Sequence, residues 1–379
     1  MSTEYFLKKS VSSVTILWLL CSGIYLTKLT PFSPVYFAFI LICLKLVLGF
    51  IQNANFQATK YSLLCGLFIL FSFFLFLNSS PGLVINIIIT IMSPIIVSYY
   101  CRNRYIEAHT LLNIFLLYGV IFVIDGLWRL SHPYLDNVEK LDSLGIGFQI
   151  YKVNSLMYLD SNFVGLEAVF ILSVIVYLMK ELRLSGYYFL KYLTVISCLI
   201  LGVLLTFSRA AIIAMIIMFV VNLLLSNRRL VLLSFFLVPV FLFIVIEVVL
   251  SKFENDISFA SKFHIISYTL DYISTASLTN IFFGVGIGNS IDAIGMGAHN
   301  LIVTFFIESG FFGLTLFLIL LSVNCYYLKS DAFIVVMPFM IAAMSLGTTA
   351  LPYFFTFSFL CSLYKTKQFD IILNSHSSR

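Results

Sequence analysis

Apolar runs of about 18 residues or more recur from one end of the chain to the other, broken by short polar stretches. Each run can cross a hydrocarbon core of about 30 Å as a helix. A helix is the expected form because it satisfies its own backbone polar groups in lipid; a transmembrane β-barrel shows shorter, alternating segments. The pattern predicts an all-α, polytopic integral membrane protein, one membrane domain over residues 1–379, with about twelve spans. Their cores are Val11–Leu26, Val35–Ile51, Tyr61–Leu77, Leu83–Tyr99, Thr110–Leu127, Phe163–Met179, Phe189–Leu205, Ala210–Leu225, Leu230–Leu250, Leu301–Leu328, Ala332–Leu346 and Pro352–Tyr364. The last two are short, and Pro338 interrupts one of them.

Two runs are too long to be simple crossings. From Tyr192 to Asn227, Arg209 is the one charged residue in 36 positions, and a single helix of that length would measure about 54 Å. It must fold as a hairpin whose turn is Thr206–Phe207–Ser208–Arg209. The run Leu301–Leu328 has 28 residues, about 42 Å as one helix, so its first turns should lie at the interface rather than in hydrocarbon.

Composition agrees with this reading. The chain is 61% hydrophobic and 10% charged, against about 25% charged in soluble domains. Lysine and arginine set the orientation. With the N-terminus in the cytoplasm, fourteen basic residues fall in the inner loops and seven in the outer ones, Lys45 lying within a span. Both termini are then cytoplasmic. Lys8 and Lys9 before an apolar run resemble a signal peptide, but no small-residue cleavage site follows, so an uncleaved first helix is expected. Two outer segments, 128–162 and 251–300, are long, polar and aromatic. The seven cysteines avoid both, and no disulfide framework or metal-binding spacing is readable. No P-loop, H-E-x-x-H or Asp-x-Asp pair occurs, and the inner loops are too short to build a nucleotide-binding domain.

The candidate chemistry therefore lies on the outer side. Arg209, at the hairpin tip, has the planar fork that suits phosphate or pyrophosphate; it could equally be a snorkelling anchor. His299, where the second outer segment enters a span, could serve as a general base near neutral pH, or as a hydrogen-bonded interface histidine. Asn300 adjoins it, Glu308 falls in the first turns that follow, and Gly310 and Gly313 would let another element approach closely. Gly284, Gly286 and Gly288 read as a tight loop rather than a dinucleotide fingerprint. Asp160 and Asn162 open a span, where a helix cap is the plainest role. Asp125, Glu167 and Glu247, at or inside spans, are either pathway residues or bundle pairs.

The strings LLTFSRAAIIAM, FASKFHIISYTLDYI, FFGVGIGN and AHNLIVTFFIESGFFGLTLF, preceded by YLDSNFVG, resemble in order the O-antigen polymerase and ligase superfamily over roughly residues 155–328. That resemblance implies a GT-C-like fold in the bacterial inner membrane. It implies a glycosyltransferase that uses an undecaprenyl-pyrophosphate-linked oligosaccharide on the periplasmic face, with no nucleotide, metal or other cofactor. Arg209 and Lys262 would hold the pyrophosphate and His299 would activate the acceptor hydroxyl. Asp160, Asn162, Ser208, Asn300 and Glu308 would contact substrate. The superfamily usually has Arg where this chain has Lys262. A polymerase is the reading taken, with a chain-length regulator as candidate partner, membrane lipid around it and no nucleic acid. A ligase acting on lipid A–core is the alternative, and a flippase for lipid-linked sugar, which calls for midplane charges, is a second.

Overall fold

The computed structural model describes residues 8–30, 32–53, 62–76, 79–135, 147–158, 160–182, 186–226 and 257–373. The expected span Leu230–Leu250, with Glu247 and Lys252, lies outside them. The helices, in chain order, are α1 (Ser13–Cys21), α2 (Pro34–Asn53), α3 (Ser62–Phe76), α4 (Pro81–Cys101), α5 (Ala108–Ser131), α6 (Ser161–Leu182), α7 (Gly186–Leu205), α8 (Arg209–Ser226), α9 (Ile257–Thr275), α10 (Leu278–Phe283), α11 (Ser290–Ile294), α12 (Leu301–Leu328), α13 (Ala332–Val335), α14 (Met337–Ala343) and α15 (Pro352–Lys365). The protein is an all-α polytopic membrane protein. Among the described residues, six helical stretches are long and apolar enough to cross a membrane: α4, α5, α6, α7, α8 and Leu301–Val335. At other expected positions within the described residues lie α1, α2, α3, α14 and α15.

The central helix is the short one. α15 has 14 residues, about 21 Å, less than a bilayer core. It is nevertheless buried from Pro352 to Leu363, so protein rather than lipid surrounds it and the bilayer does not set its length. Aromatic rings hold it: Phe354 stacks on Phe339 at 4.0 Å between ring centres, Phe170 lies 5.0 Å from Phe354, and Phe357 lies 5.4 Å from Phe115. α6 is buried along most of its length beside it. α7 and α8 bury little surface inside the protein, which leaves their apolar faces for lipid. Pro338 sits in the first turn of α14, where a missing N–H costs nothing, and the helix breaks just before it at Val336.

One end of the bundle carries an element the sequence pattern did not announce. Lys9–Ser10 (β1), Arg104–Glu107 (β2) and Phe369–Ile372 (β3) form a small parallel sheet in the order β1-β2-β3. It ties both terminal segments to the α4–α5 connection, and Lys8 pairs with Asp370 at 2.8 Å. The same end holds Lys180 and Lys365 on Asp331, and Lys191 Nζ beside His109 Nδ1 at 3.2 Å. We call it the sheet end. Among the described residues, the basic residues expected in the cytoplasm gather there. The α7–α8 turn, the α5–α6 connection and the residues before α12 lie at the opposite end, the site end.

The long run from Leu301 is not one helix. Gly310 (φ 66°, ψ −173°) breaks α12. The piece after the break, Phe311–Leu328, is about 27 Å long, close to a bilayer thickness. The break leaves the carbonyls of Ile307 and Glu308 without helical partners. The N–H groups of Val285 and Gly286 fill them, at 3.0 and 3.1 Å. A Cβ on Gly310 would lie 2.4 Å from the Phe282 carbonyl, and one on Gly284 (φ 82°) 2.3 Å from the Glu308 oxygen. These two glycines are forced both by conformation and by contact.

We predict that Gly310→Ala and Gly284→Ala each cost at least about 1–3 kcal/mol, visible as heat-induced loss of the monodisperse peak in detergent gel filtration. Gly82→Ala, in a helix with open space at the added methyl, should be neutral or slightly stabilising. Equal behaviour of all three variants would contradict the role given to the break.

Candidate functional site

The α7–α8 hairpin turns at Thr206–Ser208, with Phe207 in the left-handed region (φ 53°). Ser208 is buried, and its hydroxyl accepts from the Ala211 N–H at 3.5 Å, capping α8. Arg209 is the first residue of α8 and is exposed. The turn is docked on the start of α6: Ser161 Oγ donates to the Thr206 carbonyl at 2.8 Å. Gly165 makes the fit, because a Cβ there would meet Ala211, Ser208 and Thr206 at 3.0–3.1 Å. Asp160 caps α6 through the Asn162 N–H at 2.8 Å and also accepts from Asn162 Nδ2.

The segment before Asp160 is set from below by a buried ion pair. Arg129 and Asp125, both in α5 and essentially unexposed, pair at 2.9 Å. Asp125 Oδ1 accepts from Ser155 Oγ at 2.8 Å and from the Leu156 N–H at 2.7 Å. Arg129 donates to the Tyr151 carbonyl at 2.9 Å, while its Nη2 has no hydrogen-bond partner among the described residues. This pair fixes residues 151–157 and with them Lys152, whose Nζ donates to Asn162 Oδ1 at 3.4 Å. Burial holds the Lys152 ammonium below the usual lysine range. Asp160 opposes that shift, and the positive charges of Arg209, Arg129 and Lys262 add to it. Lys152 therefore shares one electrostatic neighbourhood with both predicted pyrophosphate residues.

The third part is built around His299, which is exposed. Asn300 caps α12, its side chain accepting from the N–H groups of Ile302 and Val303 at 3.0 and 3.3 Å. The buried Glu308 turns back into the glycine loop, where Ser290 Oγ donates to it at 2.9 Å. The loop reading of Gly284, Gly286 and Gly288 matches the backbone, since all three have positive φ. The described part of the second long segment, 257–300, is otherwise largely helical: α9 carries Lys262 and His264 and packs Tyr272 against Ile294, Ala298 and Ile307. Lys262 Nζ donates to Ser345 Oγ at 2.6 Å. Two residues on, a Cβ at Gly347 would sit 2.2 Å from the Ala298 carbonyl. The α14–α15 connection thus touches both the lysine helix and the turn that carries His299.

Residues 193–318 match the family model described as O-antigen ligase. The match covers a third of the chain and supports the resemblance to the O-antigen polymerase and ligase superfamily, without telling polymerase from ligase. No curated protein matches the chain.

The O-antigen ligase match contains Arg209, Lys262, His299, Asn300 and Glu308, and leaves out Asp160, Asn162 and Lys152. The structure gathers all of these at the site end. Asp160, Ser208 and Asn300 act there as caps on three helix N-termini, and Glu308 is engaged with the glycine loop. Those N-termini add positive potential to an end already rich in cations. Among the described residues no three His, Cys, Asp or Glu side chains gather in a metal-binding group. Sequence reasoning passed over Lys152 and Arg129, which read only as loop charges. The pairing of Asp125 with Arg129, four residues apart, was the available signal.

Removing one member of the buried pair leaves the other uncompensated. Arg129→Ala should cost about 3–5 kcal/mol of stability, measured by thermal aggregation in detergent, and the double variant Asp125→Leu/Arg129→Met should recover part of it. A double variant as unstable as the single one would refute this account of the pair.

Proposed function

We propose that the protein is an O-antigen polymerase, a glycosyltransferase that joins undecaprenyl-pyrophosphate-linked repeat units on the periplasmic side of the inner membrane. The observation that carries the reading is the placement of Arg209, Lys262 and His299 at one end of the bundle, opposite the end where the cytoplasm-type lysines gather. These three come from segments far apart in sequence, inside the stretch matched to the O-antigen ligase model.

In this mechanism Arg209 and Lys262 bind the pyrophosphate of the donor. The acceptor hydroxyl attacks the anomeric carbon, and His299 takes its proton. A new glycosidic bond forms as the bond from sugar to pyrophosphate oxygen breaks, and the electron pair leaves with the pyrophosphate, which stays on its lipid. Positioned cations stabilise the negative charge that develops there. The departing pyrophosphate supplies the driving force, so no nucleotide is consumed. Asp160, Ser208 and Asn300 hold the helix ends that present these groups. Glu308 serves through the loop it clasps.

A ligase would use the same donor and transfer the polymer to lipid A–core; the family description keeps that reading as the second. A deletion strain separates them. Loss of a polymerase leaves lipopolysaccharide with a single O unit, whereas loss of a ligase leaves bare core while lipid-linked polymer accumulates. Complementation with His299→Ala or Arg209→Ala, at normal protein level, should give the single-unit band, and Lys262→Arg should restore long chains. Ladders of long chains with both alanine variants would remove these residues from the chemistry.

A further inference from the structure

We propose that Lys45 and Arg104, at the sheet end, hold the phosphate of an anionic glycerophospholipid whose acyl chain lies along α2. This lipid site uses none of the residues of the diphosphate reading.

Lys45 is the one charged residue of α2. A cation within a span is costly and ordinarily reaches for the interface or for a partner. Here the side chain is half-buried. Its ammonium donates to Ser12 Oγ and lies over the Tyr100 ring, 5.4 Å from the centre. Tyr100 is itself fixed: it is buried, and its hydroxyl donates to the Ile42 carbonyl at 3.4 Å. Ser12 engages one of the ammonium's donors, and the others find no acceptor among the described residues.

The small sheet aims further positive charge at the same place. Its register sets Lys9 beside Arg104, and Arg104 beside Phe369. Residues paired in this way share a face, and the next residue along each strand takes the other face. The face of Arg104 also carries Ile106 and Phe369, both buried, so it is the face turned toward the bundle. The opposite face carries Glu107 and the Lys8–Asp370 ion pair. Arg104 is half-buried and within electrostatic reach of Lys45. Among the described residues, Lys9, Lys45 and Arg104 pair with no carboxylate, and the Arg104 guanidinium makes no hydrogen bond.

An unengaged guanidinium beside an ammonium suits a phosphodiester. The fork takes two oxygens in parallel and the ammonium adds a point charge. The rest of the ligand is read from α2, where Phe37, Ile40, Leu44 and Leu48 are exposed at helical spacing. This stripe is about 16 Å long, roughly the depth of one leaflet, half of a core of about 30 Å. Lys45 lies one turn before Leu48 and beside it. An acyl chain on the stripe therefore brings its headgroup to Lys45 and Arg104, in the manner of basic pockets that bind anionic headgroups. A zwitterionic lipid would set its own ammonium against these cations, so the site selects an anionic one.

The test titrates the full chain in detergent micelles with phosphatidylglycerol and phosphatidylethanolamine of the same acyl chains, and reads bound lipid by native mass spectrometry. The wild type should prefer phosphatidylglycerol by about tenfold. Lys45→Gln and Arg104→Gln should each weaken phosphatidylglycerol binding by about tenfold, and phosphatidylethanolamine binding much less. Lys329→Gln, which changes an exposed lysine at the same end, should alter neither. Arg104→Gln carries the test if Lys45→Gln fails to fold. Equal binding of the two lipids, or a loss with Lys329→Gln as large as with Arg104→Gln, would reduce the effect to a diffuse positive surface and overturn the proposal. Unchanged binding in both the Lys45 and Arg104 variants would remove these residues from any lipid site. Displacement of phosphatidylglycerol by far lower concentrations of undecaprenyl phosphate would overturn the glycerophospholipid as occupant.

Discussion

Irregular backbone at the depth of a bilayer persists only where its polar groups find partners inside the protein. The whole site end depends on that constraint. At Gly310 the carbonyls of Ile307 and Glu308 are satisfied by the N–H groups of Val285 and Gly286. Between α5 and α6 the free N–H groups of Leu156 and Met157 are taken by Asp125. At the α7–α8 turn the Thr206 carbonyl is taken by Ser161. Each of these bonds stops a non-helical segment from collapsing into helix or exposing itself to lipid. The first holds the glycine loop that Glu308 engages, and the other two hold the segments that carry Lys152 and Arg209.

The satisfying groups are themselves mostly buried polar residues, which makes the end stiff. The Asp125–Arg129 pair is as buried as the aromatic core around α15. Glu308 is committed to the glycine loop and Asn300 to its helix cap. Further down α6, Glu167 accepts from Tyr158 at 2.9 Å, and a Cβ on Gly23 would lie 1.8 Å from its other oxygen. The segment 151–158 is thus held by Arg129 at its start, by Asp125 in its middle and by Glu167 at its close.

Much of this fold was legible because hydropathy reports lipid exposure directly. The long apolar helices of the described residues and the hairpin turn before Arg209 follow from run length alone. The break at Gly310 did not, because an apolar helix that bends on a buried loop has the same composition as one that runs straight. α9 read as part of a loop because its mean polarity suits an interface, where length and hydropathy rules for spans do not apply. The small sheet at the other end joins three short segments distant in sequence, and such pairings leave no local period. At the site, Arg209 stood out as an isolated charge in a long apolar run. Lys152 lay among other polar residues, and only packing reveals that it is half-buried within electrostatic reach of Arg209 and Lys262.

The central claim is that a diphosphate is held by Arg209 and Lys262 at the end of the bundle away from the sheet. A cryo-electron microscopy map of the chain in nanodiscs with undecaprenyl pyrophosphate addresses it most directly. The account predicts two phosphate densities in contact with these two side chains, with the prenyl chain leading into lipid. Density for the diphosphate at the sheet end, or at the site end but out of reach of Arg209, would contradict it.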